Sequence, residues 1–267
     1  MASRRLSLEP SWSDSRLTRR ALLGGAVGAV FGATAKARAF GRSTAFHVRL
    51  LKAGGVACDA LRATGSARWA WEVARRTSAL ARLQRETITL ETRRLVDEPF
   101  VVWAGRGDLL PLSHAELAAL DTYMRLGGLV IVDDSDPERG AFTKAIKREL
   151  CRIMPDFAPV SLAAGHVIYK TYYLLSRPVG RLVGPDHVEA IVRGGSAQVI
   201  FLAHDLLGAL ARGREDWAFP TVPDESVQRE YAIRMAVNLA MYALCSDYKD
   251  DQVHASWLMR RRSLARP

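Results

Sequence analysis

Three places in the chain bring together residue types that do chemistry. The stretch "GGLVIVDDSD" (127–136) is an apolar run that ends in Asp133, Asp134 and Ser135. The stretch "VIFLAHD" (199–205) ends in His204 and Asp205, and "AGRGD" (104–108) holds Gly105, Arg106, Gly107 and Asp108. His166, in "GHVIYK" (165–170), lies in a connecting segment that could approach them. Carboxylates grouped with histidines bind a divalent metal, or act as an acid and a base with separated pKa values. No established metal-ligand spacing is met, however, so no metal site is assigned and no cofactor is indicated. The plainer reading is that Asp133 or Asp134 caps a turn while His204 and Asp205 orient a loop. Ser135 beside Asp and His has the ingredients of a hydrolase triad, but G-x-S-x-G is absent. Gly105-Arg106-Gly107 is either an anion cradle of backbone amides helped by the arginine, or an ordinary turn.

Elements must position these residues, and the hydrophobic pattern supplies them. Phe46, Val48 and Leu50 alternate as in a first strand. Trp69, Val73, Leu80 and Leu83 recur near helical spacing, predicting a helix over 68–83 and a short strand around 87–90. Residues 99–104, "PFVVWA", are continuously apolar, as in a parallel strand buried on both faces. Ser113 and Glu116 form a capping box, Leu112 and Leu117 a staple, and Gly127 a left-handed end for a helix running to Leu126. The strand Leu129–Val132 follows. Phe142, Ile146, Leu150 and Ile153 then mark a helix stopped by Pro155. This order builds βαβ units with right-handed crossovers. Later, strands 188–192 and 198–202 join through Gly194-Gly195-Ser196 as a hairpin. A long helix with Tyr231, Met235, Asn238, Leu239, Tyr242 and Cys245 along one stripe closes the domain. The expected organisation is one α/β domain over 40–248 and a basic tail over 249–267 that frays. In such open sheets ligands bind beyond the carboxyl ends of the strands, where all the candidates above cluster.

The net charge of +10 resides at the ends. Residues 1–39 carry seven Lys or Arg against Glu9 and Asp14, and Arg260, Arg261, Arg262 and Arg266 lie in the tail, leaving a net +1 over residues 40–259. That body lacks the electrostatic footprint of a nucleic-acid binder. The segment "LTRRALLGGAVGAVFGATAKARA" (17–39) closely resembles a twin-arginine export signal, with Arg19 and Arg20 before a Gly/Ala-rich apolar stretch and cleavage after Ala39. An uncleaved N-terminal anchor is the alternative. Nothing after Phe40 is apolar enough to span a bilayer, so the mature chain is expected to be periplasmic without a transmembrane segment. Cys58, Cys151 and Cys245 form no C-x-x-C pair; they are expected to be small buried residues, with one disulfide in an oxidising compartment as the alternative.

Several stretches together resemble one family: "RWAWEVARRTS" (68–78), residues 99–134, "AIKRELCRIMPD" (145–156), "GHVIYKTYYLL" (165–175) and "VIFLAHDLLGAL" (199–210). The resemblance is to an exported bacterial family of unknown function, DUF4159-like, within the class I glutamine-amidotransferase-like superfamily. It implies a flavodoxin-like three-layer α/β sandwich with a mostly parallel central sheet. In working glutaminases of that superfamily a strand ends in a sharp turn bearing a cysteine nucleophile, after a glycine turn similar to "AGRG" (104–107). Here Asp133, Asp134 and Ser135 stand in the expected place of the cysteine, which removes the thioester route. The resemblance implies a non-catalytic domain that binds a protein partner in the cell envelope or a small ligand at the strand ends. The alternative is a hydrolase or lyase built on Asp133, Asp134, His166, His204 and Asp205, with or without a divalent metal.

Overall fold

A computed structural model describes residues 45–223 and 225–264; the expected export segment and the expected cleavage position at Ala39 lie outside the described residues. The strands are β1 (Phe46–Lys52), β2 (Ala81–Thr89), β3 (Phe100–Gly105), β4 (Leu129–Asp134), β5 (Val160–Leu162), β6 (Val188–Arg193) and β7 (Ser196–Leu202). They form one sheet in the order β2-β1-β3-β4-β7-β6-β5. The first five in that order are parallel, and β6 and β5 are antiparallel additions. Gly194 and Gly195, at φ 62° and 86°, connect β6 to β7. The helices are α1 (Thr64–Arg76), α2 (His114–Arg125), α3 (Ala141–Cys151), α4 (Leu206–Leu210) and α5 (Glu225–Leu264). The fold is therefore mixed α/β with a seven-stranded, mostly parallel sheet.

Strand alternation sorts the apolar side chains into two cores. On β3, Val102 and Ala104 join Trp69, Leu207 and Ala236 of α1, α4 and α5. Val101 and Trp103 join Leu120 and Ile146 of α2 and α3 on the other face. Trp69 Nε1 donates to the Ala236 carbonyl at 2.7 Å, tying α1 to α5. The capping box on α2 is present: Ser113 Oγ accepts from Glu116 N, and Glu116 Oε2 accepts from Ser113 N. Gly127 ends α2 at φ 91°.

Several expectations need correction. The helix expected over 68–83 stops at Arg76, because Thr77 turns extended and its hydroxyl takes the Val73 carbonyl. Leu80 then lies just before the edge strand β2 and Leu83 within it, both exposed rather than in the core. Tyr231 and Cys245 lie off the buried stripe of α5, whereas Met235, Asn238, Leu239 and Tyr242 are on it. The helix expected to close the domain by Tyr248 runs on past that residue. No glycine or proline interrupts residues 225–264, and α5 continues to Leu264. Cys151 and Cys245 are exposed and Cys58 is half-buried, all three as free thiols. Cys151 sits one residue beyond the Phe142/Ile146/Leu150 stripe, which is why α3 leaves it outside. Several basic residues on the helix faces are paired: Arg148 and Arg152 hold the buried Glu149, Lys147 pairs with Glu189, and Arg76 bridges Glu72 and Glu230. No helix among the described residues is long and apolar enough to cross a membrane.

Candidate functional site at the strand ends

The carboxyl ends of β3, β4 and β7 form one rim, since the register sets Gly105 beside Asp134 and Asp133 beside Leu202. Neighbouring residues on a strand face opposite sides of the sheet. Leu129 and Ile131 belong to the α1/α4/α5 core, Val130 and Val132 to the α2/α3 core. Asp133 continues the first series and Asp134 the second.

Both oxygens of the buried Asp133 are occupied. Oδ1 accepts from Leu206 N at 2.8 Å and Oδ2 from Leu207 N at 2.7 Å. These amides open α4 and have no partner within the helix. Asp134, also buried, accepts from Asp136 N at 3.0 Å, from Thr143 N at 3.1 Å and from Thr143 Oγ1 at 2.9 Å. The residue before α3 is Gly140, which has no side chain to cap with; Asp134 supplies that cap from the adjoining strand. The two acids thus serve different helices on different faces and do not form a carboxylate pair.

Asp205 occupies the turn from β7 into α4 in a left-handed conformation, φ 51° and ψ 60°, the only non-glycine with positive φ among the described residues. That conformation costs roughly 1–2 kcal/mol for an ordinary residue. Its carboxylate offsets the cost by binding Gly208 N at 3.1 Å, both Arg62 Nε and Nη2 at 2.9 Å, and Arg181 Nε. His204 is 3 % exposed, and its Nε2 donates to the Pro185 carbonyl at 2.9 Å. Glycines are required over this turn: a Cβ on Gly180 would lie 2.2 Å from the His204 carbonyl oxygen.

The electrostatics follow from burial. The Asp133 carboxyl is pushed up to about 8, first by desolvation and then by the charge of Asp205, against the pull of the Leu207 and Leu206 amides. Desolvation also raises Asp134 and lowers His204. Cys58, in the segment after β1, has its thiol pushed up to about 12 by burial and then by the charge of Asp133. A thiol held there is not a nucleophile at neutral pH.

His166 does not join this rim. Its Nδ1 accepts from Ile168 N, and its ring lies 6.3 Å from that of Tyr242, whose hydroxyl accepts from Ala197 N. Ala197 is near the start of β7 and His204 lies beyond its end, roughly 20 Å of extended chain away at about 3.3 Å per residue. Ser135 donates its amide to the Gly105 carbonyl, and its hydroxyl has no histidine partner among the described residues. Gly105 is needed for packing, since a Cβ there would lie 2.6 Å from Val56 Cγ1. Asp108 is tied to Leu109 N and to Arg148. Of the expected anion turn, Arg106, Gly107 and Asp108 are all exposed, with open space around a Gly107 Cβ. Among the described residues no three His, Cys, Asp or Glu side chains are grouped to hold a metal ion.

Sequence reasoning missed Arg62 and Arg181, the two clamps on Asp205. They sit in the irregular stretches "CDALRATG" (58–65) and "PVGRLVG" (178–184), where no periodicity or motif marks them. No curated protein matches the chain. Residues 47–244 match the family described as a domain of unknown function, DUF4159. That match takes in the sheet, the rim and every residue discussed above except those of the two ends, and the chain belongs to the DUF4159 family.

Proposed function

We propose that the protein is an exported, glutaminase-like α/β domain that binds a protein partner in the cell envelope, or a small ligand, at the strand-end rim without catalysis. The parallel order β2-β1-β3-β4-β7 matches the flavodoxin-like order, which supports the glutamine-amidotransferase-like class. The observation that carries the binding reading is the commitment of every rim acid to main chain or arginine. A catalytic carboxylate must exchange partners during the reaction, whereas Asp133, Asp134 and Asp205 each hold a helix start in place. The hydrolase or lyase alternative needs Asp133, Asp134, His166, His204 and Asp205 at a common point. Strand alternation and the length of β7 oppose that. What the rim offers to solvent is Arg106 and the adjoining Gly107 amide beside Asp108, whose charge Arg148 offsets, so that Arg106 is the group that would meet an anionic ligand.

Melting of the purified protein in a series of carboxylates and phosphates tests this. A saturable rise lost in Arg106→Ala supports binding at the rim. Ammonia release from glutamine, or metal-dependent hydrolysis abolished by Asp134→Asn, would refute it. For export, changing Arg19 and Arg20 to lysine should leave the precursor in the cytoplasm; an unchanged periplasmic yield of chain starting at Phe40 would end that reading.

A further inference from the structure

α5 runs for 40 residues, but its described buried side chains end at Ala243, and Cys245 is already exposed. The stripe that packs on the body includes Met235, Leu239 and Tyr242. Tyr242 lies at the edge where the parallel strands begin, since its hydroxyl accepts from Ala197 N near the start of β7. No glycine or proline bends the helix after that point, so from Ser246 to Leu264 it runs on past the sheet for about 28 Å. A helix of that length gains little in water from its own hydrogen bonds and is ordinarily held by packing of an apolar face.

The sequence beyond the body keeps the phase of the buried stripe. Successive helical residues turn by about 100°, which places positions 250, 253, 257, 260 and 264 within about 80° of arc together with Met235, Leu239 and Tyr242. These positions read Asp250, Val253, Trp257, Arg260 and Leu264. Spacings of three and four residues form the seam by which two helices pack along their length. The charges on that seam have a direction, an acid at its near end and a base at its far end. Around them Asp247 and Asp251, against Lys249, make the near half acidic, and Arg261 and Arg262 make the far half basic.

An identical helix laid end for end about Ala255 sets Asp250 against Arg260 at both ends and Val253 against Trp257 at both central positions. The tip of the second helix, Leu264, then meets Ser246, where the first leaves its body, so the two bodies stay clear of each other. A parallel arrangement would instead set Asp250 on Asp250 and Arg260 on Arg260, which charge repulsion opposes. We propose that residues 246–264 of α5 form an arm that pairs antiparallel with the arm of a second copy of this chain. The arm lies at the edge opposite the rim and does not rest on the rim reading.

Sedimentation equilibrium of the full chain tests this pairing. A concentration-dependent rise from monomer to dimer mass is expected, weakened by salt. Asp250→Arg and Arg260→Asp should each weaken self-association by about tenfold or more, since like charges then face each other at both ends of the seam. An equimolar mixture of those two variants should regain the dimer, and so should the double variant Asp250→Arg/Arg260→Asp. Both positions lie beyond Ala243, so every variant should melt with the body of the unchanged protein. A chain that stays monomeric, single variants that associate as the unchanged chain does, or a mixture that fails to recover the dimer overturns the proposal. A monomer that binds phosphatidylglycerol vesicles, weakened by Arg260→Asp and not by Asp250→Arg, overturns it in favour of a lipid surface.

Discussion

Replacing Asp133 by asparagine separates a structural acid from a reactive one. The folded carboxyl titrates at about 8, against about 3.9 in an unfolded chain. The folded pKa is the higher of the two, so the folded state retains the proton longer. This group's contribution is therefore complete below pH 4 and declines as pH rises through 8, by at most about 1.4 kcal/mol per pH unit. Asparagine brings one acceptor oxygen to a place where Leu206 N and Leu207 N each need one. Leaving one buried amide unsatisfied costs about 1–3 kcal/mol, and that is the deficit expected at pH 5. Between pH 5 and 8 the unchanged protein loses up to about 4 kcal/mol that the variant has no group to lose. The gap should close and then reverse. His166 and His204 titrate in both proteins and cancel in the difference. Urea unfolding of the pair at pH 5, 6, 7 and 8 measures it directly. A gap that stays constant across those pH values would show that Asp133 is ionised throughout, and the desolvation argument would fail.

Two further outcomes follow from close contacts. Gly65→Ala, which in an exposed helix stabilises by about 1 kcal/mol, should here destabilise by about 1–3 kcal/mol, because the new Cβ would lie 2.6 Å from the Leu207 carbonyl oxygen; a melting temperature at or above that of the unchanged protein would contradict the α1–α4 packing. Asp134→Ala should cost about 1–2 kcal/mol through loss of the cap on α3 and speed amide exchange at Thr143 while Leu206 and Leu207 stay protected; equal loss of protection in α4 would show that the two acids are not divided between faces.

Where a local rule has one physical solution, the sequence announces it. Ser113 and Glu116 can only cap each other, and α2 begins where they say. The run Leu129–Val132 is buried on both faces as its composition demands, and it delivers Asp133 and Asp134 to the rim. The 68–83 stretch misled because Leu80 and Leu83 continue the helical spacing of Trp69 and Val73. Only the Thr77 hydroxyl on the Val73 carbonyl and the pairing of β2 with β1 end the helix, and pairing is a tertiary event. At the site, residue types showed which acids reach the rim but not what they bind. The partners of Asp133 come from residues 206 and 207, and those of Asp205 from Arg62, far apart in sequence. His166 was misplaced because a connecting segment has no periodicity to say which end of a strand it meets.

The course of α5 has a consequence for how the domain is held. It starts near the rim, where Arg229 donates to the Ala209 carbonyl, and by Tyr242 it has crossed to the edge where the parallel strands begin. Phe46 enters β1 at that same edge. The start of β1 and the Tyr242 turn of α5 therefore share one edge of the sheet, and the rim lies at the opposite edge. A label attached at Ala45, next to the start of β1, would therefore sit at the edge opposite Arg106 and Gly107.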